Sequence, residues 1–90
     1  MFDWDGGNAE KIRDLHDVEP DEVEEALTDP DRISETVYNT ATEKRRGILG
    51  MTETSRLLFV VYTNRGGRIR VVTAYGASRR QCARYLKRKR

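Results

Sequence analysis

The stretch Arg56-Leu57-Leu58-Phe59-Val60-Val61-Tyr62-Thr63-Asn64-Arg65-Gly66-Gly67-Arg68-Ile69-Arg70-Val71-Val72-Thr73-Ala74-Tyr75 decides the fold. Residues 57–63 are rich in β-branched and aromatic side chains, the composition of a strand. Asn64-Arg65-Gly66-Gly67 is a hairpin turn, because glycine takes positive φ without steric cost. From 68 to 75 the residues alternate, with Ile69, Val71 and Thr73 on one face and Arg70, Val72 and Ala74 on the other. This second strand reads as central in its sheet. Arg70 therefore sits mid-strand among apolar neighbours, where a charge needs a partner.

Upstream, 45–49 reads as another strand and 33–38 as a further one, with a turn at 39–42 and a loop at 50–55. Asn8 is placed to cap a first short helix carrying Ile12 and Leu15 on one face, with Asp14 and His16 near its end. Pro20 suits the first turn of a second helix, striped by Val23, Ala26 and Leu27 and stopped by Asp29-Pro30-Asp31. Downstream, Ser78 caps a last helix with an apolar stripe of Cys82, Tyr85 and Leu86. Arg79, Arg80, Arg84, Lys87 and Arg88 surround that stripe. The expected fold is α+β: two N-terminal helices, a small antiparallel sheet of three to four strands and one basic C-terminal helix. Ninety residues make one domain, 1–90.

Charge divides the chain. Residues 1–45 hold 14 acids against five Lys/Arg, and residues 46–90 hold 12 Lys/Arg against Glu53 alone. A formal net charge of +2 thus hides a strongly basic half carried on regular structure. Such asymmetry points to nucleic acid or to an oppositely charged partner. The single cysteine, Cys82, rules out an internal disulfide and fits a reducing compartment. The acidic start has no apolar core of a secretory signal, and the longest apolar run, 57–62, is too short to span a bilayer. The expectation is a soluble, cytoplasmic protein without membrane association. One histidine and one cysteine cannot make a structural zinc site, and Gly66-Gly67 is turn chemistry, so neither a metal nor a cofactor is expected.

The order of motifs resembles the BrnT-type ribonuclease toxins of bacterial type II toxin–antitoxin modules. Phe2-Asp3-Trp4-Asp5 is similar to that family's opening strand. Asn8-Ala9-Glu10-Lys11 followed by Leu15-His16-Asp17-Val18 looks like its first helix, which ends in Lys-His-Gly-Val. Asp21-Glu22-Val23-Glu24-Glu25-Ala26 matches its second helix, and Glu43-Lys44-Arg45 running into Gly50 its Glu-x-Arg strand. Residues 56–63 and 68–74 look like its central hairpin, and Ala77-Ser78-Arg79-Arg80 with Arg84-Tyr85 its last helix. Departures occur at Leu15, Asp17, Tyr75-Gly76 and Gln81, where the family usually has Lys, Gly, Arg-Lys and Glu. The resemblance implies a RelE-like fold, metal-independent RNA cleavage through the 2′-hydroxyl, and neutralisation by a cognate ribbon-helix-helix antitoxin in a hetero-oligomer. A catalytically diverged module that binds nucleic acid or antitoxin is the alternative.

Metal-free RNA cleavage must deprotonate the 2′-hydroxyl, stabilise the phosphorane and assist the leaving oxygen. His16, the only histidine, is the candidate for proton transfer; its alternative is a helix-end residue favoured by the helix dipole. Arg70 and Arg45 are candidates for phosphate, because arginine keeps its charge and presents a planar fork. Arg46 neighbours Arg45 on the strand, and the pattern leaves open which of the two faces the site. Tyr75, where the family has arginine, is a candidate donor or stacking group, or else an amphipathic strand-end residue. Arg79, Arg80 and Arg84 form a candidate RNA-backbone surface or a docking site for an acidic antitoxin segment. Trp4 is a candidate for base stacking, with a core position as the alternative.

Overall fold

The computed structural model describes residues 2–4, 6–37 and 44–89. The elements run α1 (Gly6–His16), α2 (Pro20–Leu27), β1 (Ile33–Glu35), β2 (Arg46–Met51), β3 (Leu57–Arg65), β4 (Arg68–Gly76) and α3 (Arg79–Lys89). The four strands form one antiparallel sheet in the order β1-β2-β3-β4, so β4, expected to be central, is an edge strand and β3 lies inside the sheet. This is the expected α+β fold. Tyr38 and the expected turn at 39–42 lie outside the described residues, as do Asp5 and Glu43.

The two faces of β3 explain its unbroken apolar run. Leu58 and Val60 pack with Ile12 of α1 and Val23, Ala26 and Leu27 of α2. Phe59 and Val61 pack on the other face with Leu49 and with Tyr85 of α3. A strand covered on both sides reads as continuous hydrophobic sequence rather than alternating. Tyr85 alone of the expected α3 stripe is fully buried, at 1% exposure. Cys82 is half-buried and Leu86 is 56% exposed, so the stripe is narrower than the sequence indicates.

The strict alternation expected for β4 is corrected by a β-bulge. Val61 pairs with Thr73 but the next residue, Tyr62, pairs with Val71, leaving Val72 as the extra residue. Val71 and Ala74, three apart, consequently both reach the α1–α2 side. Thr73, expected to share a face with Val71, falls out of phase with it. One inserted residue shifts the side-chain period of everything beyond it.

Asn8 also departs from expectation. It lies inside α1 and is buried, and its amide donates to the Asp3 carbonyl at 3.1 Å and the Val71 carbonyl at 3.5 Å. It straps the N-terminal segment and α1 to β4 instead of capping a helix. Phe2 bridges to Ile69 in parallel, and the Asp3 N–H donates to the Ile69 carbonyl at 2.7 Å.

The α1 terminus rests on Asp17, whose φ is 53° and whose N–H donates to the Arg13 carbonyl at 3.1 Å. That is a left-handed helix stop, followed by the fully buried Val18. Glycine has no Cβ to strain there. Asp17→Gly is expected to raise stability by about 0.5–1 kcal/mol, read as a higher denaturant midpoint with an unchanged slope.

Asp29, expected only to help stop α2, is a buried joint. Its carboxylate accepts the Met51 N–H at 2.8 Å, the Tyr85 hydroxyl at 2.6 Å and the Asp31 N–H at 2.9 Å. One side chain thus ties the α2–β1 loop to β2 and α3. Burial, and then the Asp29 hydrogen bond and charge, push the Tyr85 phenol well above its ordinary value. It therefore stays a neutral donor, and the joint weakens only as pH rises beyond the ordinary tyrosine range near 10. The α3 start carries a reciprocal cap, with Gln81 N–H on Ser78 Oγ at 3.2 Å and Ser78 N–H on Gln81 Oε1 at 2.9 Å. Gln81 therefore completes a capping box with Ser78.

Candidate nucleic-acid interface

Strand register brings two of the arginines together. Arg46 pairs with Tyr62, so Arg45, one residue earlier, is level with Thr63, and Thr63 in turn pairs with Arg70. Neighbouring strands are about 5 Å apart, so this row spans roughly 10 Å, within reach of two arginine side chains closing on one phosphate. Arg45, Thr63 and Arg70 line an open cleft of 410 Å³, joined by Gly7, Asn8 and Lys11 of α1 and by Arg65 at the hairpin. Arg70 is half-buried, and its guanidinium lies 3.6 Å from the Asp3 carboxylate. Asp3 is the counter-ion that a mid-strand arginine requires. Arg46 does not line this cleft; it is exposed beside a neighbouring depression bounded by Ser34, Glu35 and Tyr62, which Arg45 also lines.

His16 ends α1, five residues and a rise of about 7.5 Å beyond Lys11. The adjacent Asp17 carbonyl accepts from Arg56 at 2.8 Å, and Arg56 immediately precedes β3 at the end opposite Thr63. The His16 side chain itself lies outside the described residues.

Tyr75 pairs with Phe59, four residues along β3 from Thr63, or about 13 Å. It is 36% exposed and meets the Phe59 ring edge-on at 5.3 Å. Trp4 is half-buried against the core, and its indole N–H donates to Glu24 at 2.6 Å, which fixes the ring against α2. Arg84 is engaged at the sheet edge, with the Glu35 carboxylate and, at 3.1 Å, the Ser34 carbonyl. Arg79 and Arg80 are exposed at the start of α3.

A second, larger cleft of 770 Å³ lies between β1 and α3, lined by Asp31, Arg32, Arg84, Lys87 and Arg88 among others. It is cationic, and its arginines stand on helix and loop rather than in a row across the sheet. Sequence reasoning missed Lys11 and Thr63. Lys11 looked like helix surface, and nothing in a Val-Tyr-Thr strand marks one threonine. Register alone gives Thr63 its neighbours.

Residues 4–81 match the model of a family described as the ribonuclease toxin, BrnT, of type II toxin–antitoxin systems. The chain belongs to the BrnT toxin family. A comparison with curated proteins gives no match. Membership implies a ribonuclease toxin, an RNA substrate and an antitoxin partner. The matched span contains the Arg45–Thr63–Arg70 row and ends within α3. Among the described residues, no three His, Cys, Asp or Glu side chains gather as metal donors, and no helix is long and apolar enough to cross a membrane.

Proposed function

We propose that this BrnT-family protein cleaves RNA by attack of the 2′-hydroxyl on the adjacent phosphate, without a metal, at the Arg45–Arg70 cleft. The observation that carries the reading is the convergence of those two arginines, one just before β2 and one on β4, on one concavity with Lys11. Two guanidinium forks stabilise the charge that grows on the phosphorane oxygens, a preorganised electrostatic role. Lys11 adds a third cation from α1. The exposed Arg79 and Arg80, with the cations along the β1–α3 cleft, hold the RNA backbone away from the scissile phosphate. His16, at the end of α1, is the candidate that moves the proton. Tyr75 presents a ring at the strand end, where an unstacked base can rest.

The cognate antitoxin, of the ribbon-helix-helix class, neutralises the protein in a cytoplasmic hetero-oligomer by covering the basic face with an acidic segment. RNA and antitoxin then exclude one another.

The test is direct. Purified protein should cleave single-stranded RNA to 2′,3′-cyclic phosphate ends with no loss of rate in excess chelator, and stoichiometric antitoxin should stop it. Cleavage abolished by the chelator would remove the metal-independent mechanism. RNA binding without any cleavage would favour the diverged binding module, a reading kept in view by Tyr75-Gly76 in place of the family's Arg-Lys.

A further inference from the structure

Among the described residues, one buried side-chain polar atom has no hydrogen-bond partner: the hydroxyl oxygen of Thr63. The residue is 2% exposed. Folded proteins satisfy nearly all such groups, because a buried unpaired hydroxyl costs stability. Nothing in the fold requires a hydroxyl there, since valine has the same branched shape and suits a strand better. The position of the orphan is informative. Thr63 lines the arginine cleft, level with Arg45 on one side and paired with Arg70 on the other. Lys11, Arg45, Arg65 and Arg70 line the same cleft, with Asp3 as the counter-ion at Arg70. An anion with several acceptor oxygens can supply the partner that the Thr63 hydroxyl lacks while it meets the cations of the cleft.

We propose that the Thr63 hydroxyl donates a hydrogen bond to a non-bridging oxygen of the phosphodiester held by Arg45 and Arg70. The inference rests on the ribonuclease reading of this cleft and adds a ligand-binding residue to it. Arginines bind phosphate oxygens from outside through flexible stems. A threonine on a central strand has a stiff χ1 and fixes one oxygen relative to the sheet. The hydroxyl is closed off in the free protein, so the flanking side chains part when the phosphate enters. A bound phosphate oxygen supplies the acceptor that the hydroxyl lacks in the free protein.

This predicts opposite signs in two measurements. Thr63→Val removes the orphan hydroxyl at nearly constant shape. Its midpoint temperature should rise by about 4 °C or more. Its affinity for a single-stranded RNA blocked by a 2′-deoxy substitution at the cleavage position should fall about tenfold. Thr63→Ser, which keeps the hydroxyl, should bind within threefold of the parent. Arg70→Ala is measured alongside. If Arg70→Ala loses affinity while Thr63→Val does not, the Thr63 inference alone falls. If neither variant loses affinity, the cleft reading falls with it. A lower midpoint temperature in Thr63→Val, with unchanged affinity, would mean that the hydroxyl serves the fold and not the ligand.

Discussion

Arg70→Ala should lower the rate of RNA cleavage by about 10²–10³-fold and leave the protein folded. The magnitude is that of removing one preorganised donor from a developing oxyanion. The side chain is half-buried and its partner Asp3 is also partly exposed, so the loss of the ion pair costs the fold little. Arg45→Ala should act in the same direction. The double variant should lose less than the product of the two single losses, because both forks act on one phosphate. Arg70→Lys should recover only part of the activity: an ammonium keeps the charge but lacks the planar two-point geometry. The measurement is the single-turnover rate on a labelled RNA, with circular dichroism as the control for folding. Arg45→Ala and Arg70→Ala both cleaving within threefold of the parent would place the chemistry elsewhere, and the β1–α3 cleft would be the next site to examine.

The second large effect concerns the scaffold. Gly50→Ala should destabilise the domain by about 3 kcal/mol or more, seen as a fall in midpoint temperature of about 15 °C. Gly50 lies in β2 opposite Leu58, directly under α2. A Cβ built there overlaps the Ala26 carbonyl group, lying 2.7 Å from its carbon and 3.0 Å from the Ala26 Cα. These are main-chain atoms, which cannot swing aside like the end of a flexible side chain. Relief requires α2 to lift from the sheet, exposing Val23, Ala26 and Leu27, all of which are buried. Such a loss is a large part of the stability of a domain of this size. A midpoint within 3 °C of the parent would show that α2 is not seated on this glycine. Gly66 and Gly67 make the contrast: they sit at φ of 56° and 79° in the hairpin turn, with open space around both.

Gly50 also marks where sequence reasoning stops. In one dimension it ends an apolar run and precedes turn-forming residues, so it reads as the start of a loop. Its role is a close approach between β2 and α2, elements about 24 positions apart, and no local pattern encodes that distance. Asp29 is a similar case. Beside Pro30 it reads as helix punctuation, but it ties three elements together because Tyr85 and Met51 are folded onto it. By contrast, the hairpin at 57–75, the α2 start at Pro20 and the Ser78 cap were legible, because each depends on residues within a few positions of one another.

The candidate site divides along the same line. The chain order alone presented Arg45 and Arg70 as cations of unusual placement, and the basic half as a surface for a polyanion. It presented His16 and Tyr75 as further candidates for the same site. The backbone puts His16 at the far end of α1 and Tyr75 about 13 Å along the sheet, and it brings in Lys11 and Thr63.

Local chemistry, then, determined which segments are helix and which are strand, where most turns fall, and that positive charge would be concentrated on the second half. Those properties follow from steric preference and side-chain periodicity, which act over a few residues. Only the folded chain decided the phase of β4 beyond its bulge, the joint at Asp29 and the row Arg45–Thr63–Arg70. Register and bulges are settled when distant segments compete to bury their apolar faces together, and that competition has no local signature.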